Sequence, residues 1–147
     1  YTGNLVDKNE TKFTLQYYLD RVKELEAIGA DIIAIKDMAG LLKPKSAQIL
    51  INAIKESSDL PIHLHTHDTS GLGVTVLREA AKAGADIVDG AVSSMSGFTS
   101  QPSLNTLVAS FEDSELRPDQ NLESLEHISR YWSPRKHHQF QLQKFQY

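Results

Sequence analysis

The segment from Leu60 to Gly71 constrains the fold more than any other part of the chain. Apolar residues alternate there with His63, His65 and His67, which is the two-residue period of a β-strand. Because alternate side chains of a strand project from the same face, the three imidazoles share one face and the apolar residues share the other. The polar residues from Asp68 to Gly71 predict a turn that ends the strand. The sequence therefore predicts a strand that carries a row of histidines towards one end.

The rest of the chain alternates short apolar runs with amphipathic helical segments. One repeat marks this alternation, because Gly29-Ala30-Asp31-Ile32-Ile33 recurs as Gly84-Ala85-Asp86-Ile87-Val88. The pattern predicts strands over 31–37, 60–68 and 85–92, and helices over 15–28, 44–58, 73–82, 104–111 and 122–132. Residues 1–5 are interpreted as the end of a further strand and its following loop.

Alternating strands and helices imply parallel strands with right-handed crossovers. A doubly wound sheet and a (β/α)₈ barrel both satisfy this pattern. A full barrel needs about 250 residues. With 147 residues, the chain would hold roughly half of such a barrel.

His65 and His67 are the better pair of candidate metal ligands. They lie nearer the carboxyl end of their strand, where sites gather in parallel α/β folds. Imidazole suits zinc and its transition-metal neighbours. His63 lies deeper and is expected to be a hydrogen-bonded core histidine. The polar loop from Ser93 to Pro102 is predicted to line the same mouth, or else to be an ordinary hydroxyl-rich turn.

Lys36 ends the strand that precedes the histidine strand. The bulky side chains of Ile33 and Ile35 are expected to face the helices, which points Lys36 towards the mouth. One interpretation is a structural ion pair with Asp37 or Asp68. The other is a reactive neutral amine that adds carbon dioxide and becomes a carbamate, an anionic oxygen ligand.

Composition excludes several classes of function. The chain has no cysteine, so it can form neither disulfides nor thiolate metal sites. Its net charge of −4 argues against nucleic-acid binding. It contains neither an apolar run long enough to span a bilayer nor a signal-peptide pattern.

Several segments together resemble the carboxyltransferase domain of the pyruvate carboxylases: Tyr1-Thr2-Gly3-Asn4, Ile33–Pro44, His63–Gly71 and Ser96–Ser103. The resemblance implies part, about half, of a (β/α)₈ TIM barrel of the pyruvate carboxyltransferase and HMG-CoA lyase-like superfamily. It predicts a partial barrel domain over residues 1–132 and a divergent, disordered tail over residues 133–147.

The resemblance also implies a metal site. In that family the strand-end lysine is carbamylated and ligates a divalent metal, Mn or Zn, and Lys36 matches this position. Lys36 is accordingly also expected to be catalytic. His65 and His67 match the two histidines of the family's His-x-His-Asp motif. The family's remaining protein ligand, an aspartate on the first barrel strand, is expected to lie outside this chain.

The reaction that the resemblance implies moves a carboxyl group from carboxybiotin to pyruvate and gives oxaloacetate, an anaplerotic and gluconeogenic step. Biotin and ATP would be handled by domains outside this chain. The expected partners are pyruvate, carboxybiotin and the remaining domains of a tetrameric enzyme, with neither nucleic acid nor membrane. The expected location is the cytoplasm, or the mitochondrial matrix in a eukaryote.

Two other functions are compatible with the same motifs. The chain could belong to the α-subunit of an oxaloacetate decarboxylase or to a transcarboxylase subunit, which share the Lys36–Gly40 segment. It could also be an inactive fragment with no independent function. Even as part of a pyruvate carboxylase, the isolated chain is expected to be inactive.

Overall fold

The computed structural model describes the backbone of residues 1–143 and the side chains of residues 1–134. Strands and helices alternate along most of this part of the chain. The strands are β1 (Ile33–Asp37), β2 (Ile62–Thr66) and β3 (Ile87–Val88). The helices are α1 (Leu15–Ala27), α2 (Pro44–Ser57), α3 (Gly73–Lys82), α4 (Leu104–Ser110) and α5 (Leu122–Gln143).

The described strands form one parallel sheet in the order β1-β2-β3. Parallel pairing follows from α2 and α3, each of which returns the chain to the same end of the sheet. The register places Lys36 beside His65 and Ala34 beside His63. These four side chains therefore share one face of the sheet.

The opposite face is covered by helices and forms the core. Ile62 and Leu64 of β2 are fully buried there, as are Leu50 and Ile54 of α2 and Leu77 of α3. Burial alternates along β1 and β2, so the face that carries the histidines is the more open one. The core thus fixes which face presents the candidate ligands.

The helix boundaries follow local sequence signals. Thr14 caps α1 by accepting a hydrogen bond from the backbone N–H of Tyr17. Pro44 occupies the first turn of α2, where its missing N–H is no loss. Gly29 follows α1 with a φ of +89°, a conformation that favours glycine.

Three expectations from the sequence differ from the structure. Residues 1–5 form a loop and no strand, although the amino group of Tyr1 donates to the carbonyl of Lys36 in β1. The third strand is shorter than 85–92: its ladder with β2 covers only Ile87 and Val88, and Ala91 pairs instead with Ser103. The last helix continues past Trp132 to Gln143.

The tail predicted over residues 133–147 lies partly outside the described residues, so its disorder stays a prediction. Within residues 1–143, no helix is long and apolar enough to cross a membrane.

Candidate metal centre

The imidazoles of His65 and His67 meet at the carboxyl end of β2. Their Nε2 atoms are 3.3 Å apart, and their ring centroids are 5.2 Å apart. His67 follows the last residue of β2, and its backbone N–H donates to the carbonyl of Asp37 at 3.1 Å. This bond extends the β1–β2 pairing by one step and keeps both rings at the mouth.

The other nitrogen of each ring is held by an acceptor. Nδ1 of His67 lies 2.6 Å from the carbonyl oxygen of Thr99, which can only accept, so this nitrogen carries the proton. Nδ1 of His65 lies 2.6 Å from Oδ2 of Asp89. Burial disfavours the charged form of Asp89, but hydrogen bonds from His65 and His63 outweigh it and lower the pKa of this carboxyl. An ionised Asp89 only accepts, so Nδ1 of His65 also carries the proton.

The geometry of the pair fits a divalent metal. When both rings are neutral with the proton on Nδ1, their Nε2 lone pairs face each other, and a cation between them would bind both. Two nitrogens bound tetrahedrally at about 2.0–2.1 Å would lie roughly 3.3 Å apart. Metal-binding histidines also donate their second N–H to a carboxylate or a carbonyl, as both rings do here. The donor set therefore suits Zn²⁺ or a similar ion.

Lys36 occupies the neighbouring position on β1. It is exposed, it pairs in register with His65, and it shares the open face with that residue. Among the described side chains, Lys36 forms no ion pair. The two carboxylates that the sequence offered as partners are bonded elsewhere. Asp37 accepts from two backbone N–H groups on the helix-covered side, and Asp68 accepts from the N–H of Gly73.

The described residues supply only part of a coordination shell. Within residues 1–134, no three side chains of His, Cys, Asp or Glu are grouped so as to hold one metal ion. A third protein ligand must therefore be of another type, such as a modified Lys36, or come from elsewhere.

Asp89 is the site residue that the sequence interpretation missed. It follows β3 directly and bridges His63 Nε2, at 2.8 Å, and His65 Nδ1, at 2.6 Å. His63 is hydrogen-bonded, as expected, but it is not a core residue, because 29% of its side chain is exposed and its partner is a carboxylate at the mouth. One signal was available, since Asp89 is an acid immediately after a strand of the same parallel sheet, where carboxyl ends meet.

The loop after β3 closes over the histidines through its backbone. The carbonyls of Phe98, Thr99 and Ser100 accept hydrogen bonds from Thr69, His67 and Asp68, respectively. The loop therefore contacts the candidate site, as predicted, although Thr99 contributes its carbonyl oxygen rather than its hydroxyl.

These features define a parallel α/β segment in which two histidines converge at the carboxyl ends of the strands. A protein-family model described as HMGL-like matches residues 5–131. Because this match covers most of the chain, the protein belongs to the HMGL-like family.

The most similar relatives include pyruvate carboxylases. The Bacillus subtilis pyruvate carboxylase is 53% identical over 139 residues, which are 94% of this chain and 12% of that protein. The human mitochondrial pyruvate carboxylase is 47% identical over 133 residues, which are 90% of this chain and 11% of that protein. The chain thus spans a small part of the length of these relatives.

Solved structures give the same result. The carboxyl transferase domain from Rhizobium etli pyruvate carboxylase, in a structure with pyruvate and biocytin, superposes with a TM-score of 0.89 at 46% identity. The match covers 90% of this chain and 22% of that chain. The resemblance to the carboxyltransferase domain is therefore confirmed. The fold is part of a TIM barrel, and a doubly wound sheet is excluded.

Proposed function

We propose that this chain forms the metal-binding segment of a pyruvate carboxylase carboxyltransferase barrel. In this proposal the complete domain moves a carboxyl group from carboxybiotin to pyruvate and gives oxaloacetate. Biotin, the ATP-using step and the remaining barrel strands belong to other parts of the enzyme.

The observation that carries the proposal is the convergence of His65 and His67. Their Nε2 atoms face each other at 3.3 Å, while both Nδ1 atoms are engaged by acceptors. Family membership and the identity to pyruvate carboxylases support the reaction class.

Three residues would hold the metal: His65, His67 and Lys36 as its carbamate. A neutral Lys36 amine forms the carbamate by adding carbon dioxide and releasing one proton. Such a metal, when bound, supplies Lewis-acid polarisation of the pyruvate carbonyl. Asp89 and the carbonyl of Thr99 keep the two rings oriented, and the backbone of the loop after β3 covers one side of the centre.

Metal binding is tested by titrating the chain with Zn²⁺ and with Mn²⁺ in a calorimeter. Replacing both candidate histidines, His65→Ala with His67→Ala, should weaken binding by at least tenfold. His127→Ala is the matched control, since His127 is exposed on α5. Equal affinity in the double variant and the control would refute the ligand assignment, provided circular dichroism shows that both are folded.

The reaction is tested in a chimera of the Bacillus subtilis relative whose matching segment is replaced by residues 5–131 of this chain. Oxaloacetate formation from pyruvate should persist in the chimera. It should fall at least a hundredfold when His65 and His67 are both alanine. A folded chimera with no activity, or a double variant with full activity, would contradict the proposal.

A further inference from the structure

Asp89 joins two histidines of the open face. Its Oδ1 lies 2.8 Å from Nε2 of His63, and its Oδ2 lies 2.6 Å from Nδ1 of His65. All three side chains are partly exposed, with 25–33% of each side chain accessible. Both oxygens of the Asp89 carboxylate are therefore hydrogen-bonded beside the candidate metal centre, and neither is one of the proposed ligand atoms, the Nε2 atoms of His65 and His67.

The two ligand histidines are oriented by acceptors of different kinds. His67 is held by the backbone carbonyl of Thr99, which persists whatever side chain is present. Nδ1 of His65 is held by the side chain of Asp89. Of the two tautomers, therefore, only that of His65 depends on a side chain that mutation can change.

The alternative tautomer of His65 would disable both ligand atoms. A proton on Nε2 of His65 would point at Nε2 of His67, 3.3 Å away, and a hydrogen bond would form between the rings. That bond would occupy both lone pairs that a metal needs. An acceptor at Nδ1 of His65 opposes this state, because it requires the proton to stay on the other nitrogen.

We propose that Asp89 is a positioning residue that holds His65 in its Nδ1–H tautomer and so keeps the His65–His67 pair open for a divalent cation. His63 anchors the second oxygen of Asp89 and fixes the plane of the carboxylate. This inference rests on the metal site of the proposed function, and it assigns to Asp89 and His63 a role that the ligand set alone does not include.

The first test is the tautomer itself, read from ¹⁵N shifts and long-range ¹H–¹⁵N correlations of the imidazoles in the metal-free labelled chain. At about pH 8 an unperturbed imidazole is neutral. The wild-type chain should show the proton of His65 on Nδ1. In Asp89→Asn it should move in large part to Nε2, because the amide can donate where the carboxylate only accepted. A wild-type His65 protonated on Nε2 would overturn the proposal, even if the variant fails to fold.

The second test is the affinity for Zn²⁺. Asp89→Asn should raise the dissociation constant about 10–100-fold. The matched control is Asp86→Asn, since Asp86 pairs with Lys55 away from the histidines. It should change neither the tautomer nor the affinity. Unchanged affinity and tautomer in a folded Asp89→Asn chain would refute the role of Asp89. If the chimera kept full activity with His65 and His67 both alanine, the proposed function would fail while the tautomer measurement still decided the inference.

Discussion

At the scale of single residues, the acids of this chain have different roles that the sequence does not distinguish. Asp37 lies on the helix-covered face of the sheet and is completely buried. Its carboxylate accepts from the backbone N–H groups of Leu41 and Leu42, at 3.0 and 2.9 Å, and from the hydroxyl of Thr66, at 3.2 Å. It therefore ties the turn after β1 to the end of β2, close to His67.

Asp37→Ala should lower the free energy of unfolding by about 3 kcal/mol, because it leaves several buried donors without an acceptor. Urea denaturation monitored by circular dichroism measures the change. Asp59→Asn is the control, since Asp59 is exposed, and it should alter stability by less than about 0.5 kcal/mol. Similar losses in both variants would show that the Asp37 hydrogen bonds contribute little.

Asp86 should contribute to stability in a pH-dependent manner. A hydrogen bond from Lys55 and one from the backbone N–H of Ile62 lower its pKa below the ordinary 3.8. A lowered pKa in the folded state means a contribution that is present above the ordinary value and is lost as pH falls through the lowered one. The pair is partly exposed, so the contribution is at most about 1 kcal/mol.

Asp86→Asn should therefore be less stable than the wild-type chain at pH 7 and equally stable at strongly acidic pH. Urea midpoints across the acidic range measure this difference. Lys55→Met should produce a similar loss at pH 7, and the two changes should not add. If the stability difference between Asp86→Asn and the wild-type chain stayed the same below the lowered pKa, the charge of Asp86 would not be its cause.

The residues of the candidate site were predictable to different degrees. The two-residue period of β2 placed His65 and His67 on one face, and the bulk of Ile33 and Ile35 indicated the face of Lys36. Asp89 was not predictable in the same way, because its partners come from another strand through tertiary packing. The roles of the candidate ligands remain predictions.

At the scale of elements, local signals predicted most helices and the two longer strands. α3 begins and ends where its apolar period predicted, at Gly73 and Lys82. The third strand was overestimated because Ala91 bonds to residues 102–104 rather than to β2, a tertiary pairing that no local pattern reveals. The last helix is longer than predicted, because Pro134 lies inside α5 and does not end it.

The turn after β1 should be sensitive to a single methyl group. Gly40 has a φ of +63°, and a Cβ there would lie 2.7 Å from the carbonyl oxygen of His67. Gly40→Ala must therefore displace the backbone that carries His67. It should lower stability by about 2 kcal/mol and weaken Zn²⁺ binding severalfold.

Gly29→Ala is the matched control for this change. Gly29 has a φ of +89°, but a Cβ there would meet no atom within 4 Å. It should therefore show the cost of the backbone conformation, about 1 kcal/mol, with no effect on metal affinity. Equal Zn²⁺ affinity in Gly40→Ala and Gly29→Ala would show that the turn after β1 does not affect the candidate metal centre.

At the scale of the whole molecule, the described part of the chain contributes three parallel strands to a barrel that has eight. The open face carries the histidines, and exposed apolar side chains such as Ile28, Ile32 and Ile87 lie outside the core. In the complete domain other strands would continue the sheet. The chain alone leaves its candidate centre open to water.

We expect the isolated 147-residue chain to transfer no carboxyl group. Two imidazoles and Lys36 leave a metal under-ligated, and water would reach a reactive enolate. The assay combines purified chain, carboxybiotin, pyruvate and Mn²⁺ and measures oxaloacetate. Turnover above a control with metal alone would show that the rest of the barrel is dispensable for the reaction.

The parallel pairing of β1 with β2 also has a consequence for the order in which the residues of the candidate centre come together during synthesis of the chain. The candidate ligands lie between Lys36 and His67, on strands that are neighbours in both sequence and space. Their pairing needs only the intervening helix α2 and no segment synthesised later. A nascent chain can therefore bring these groups onto one face once β1, α2 and β2 have emerged, whereas Asp89 and Thr99, which orient the two imidazoles, follow later in synthesis and complete the centre.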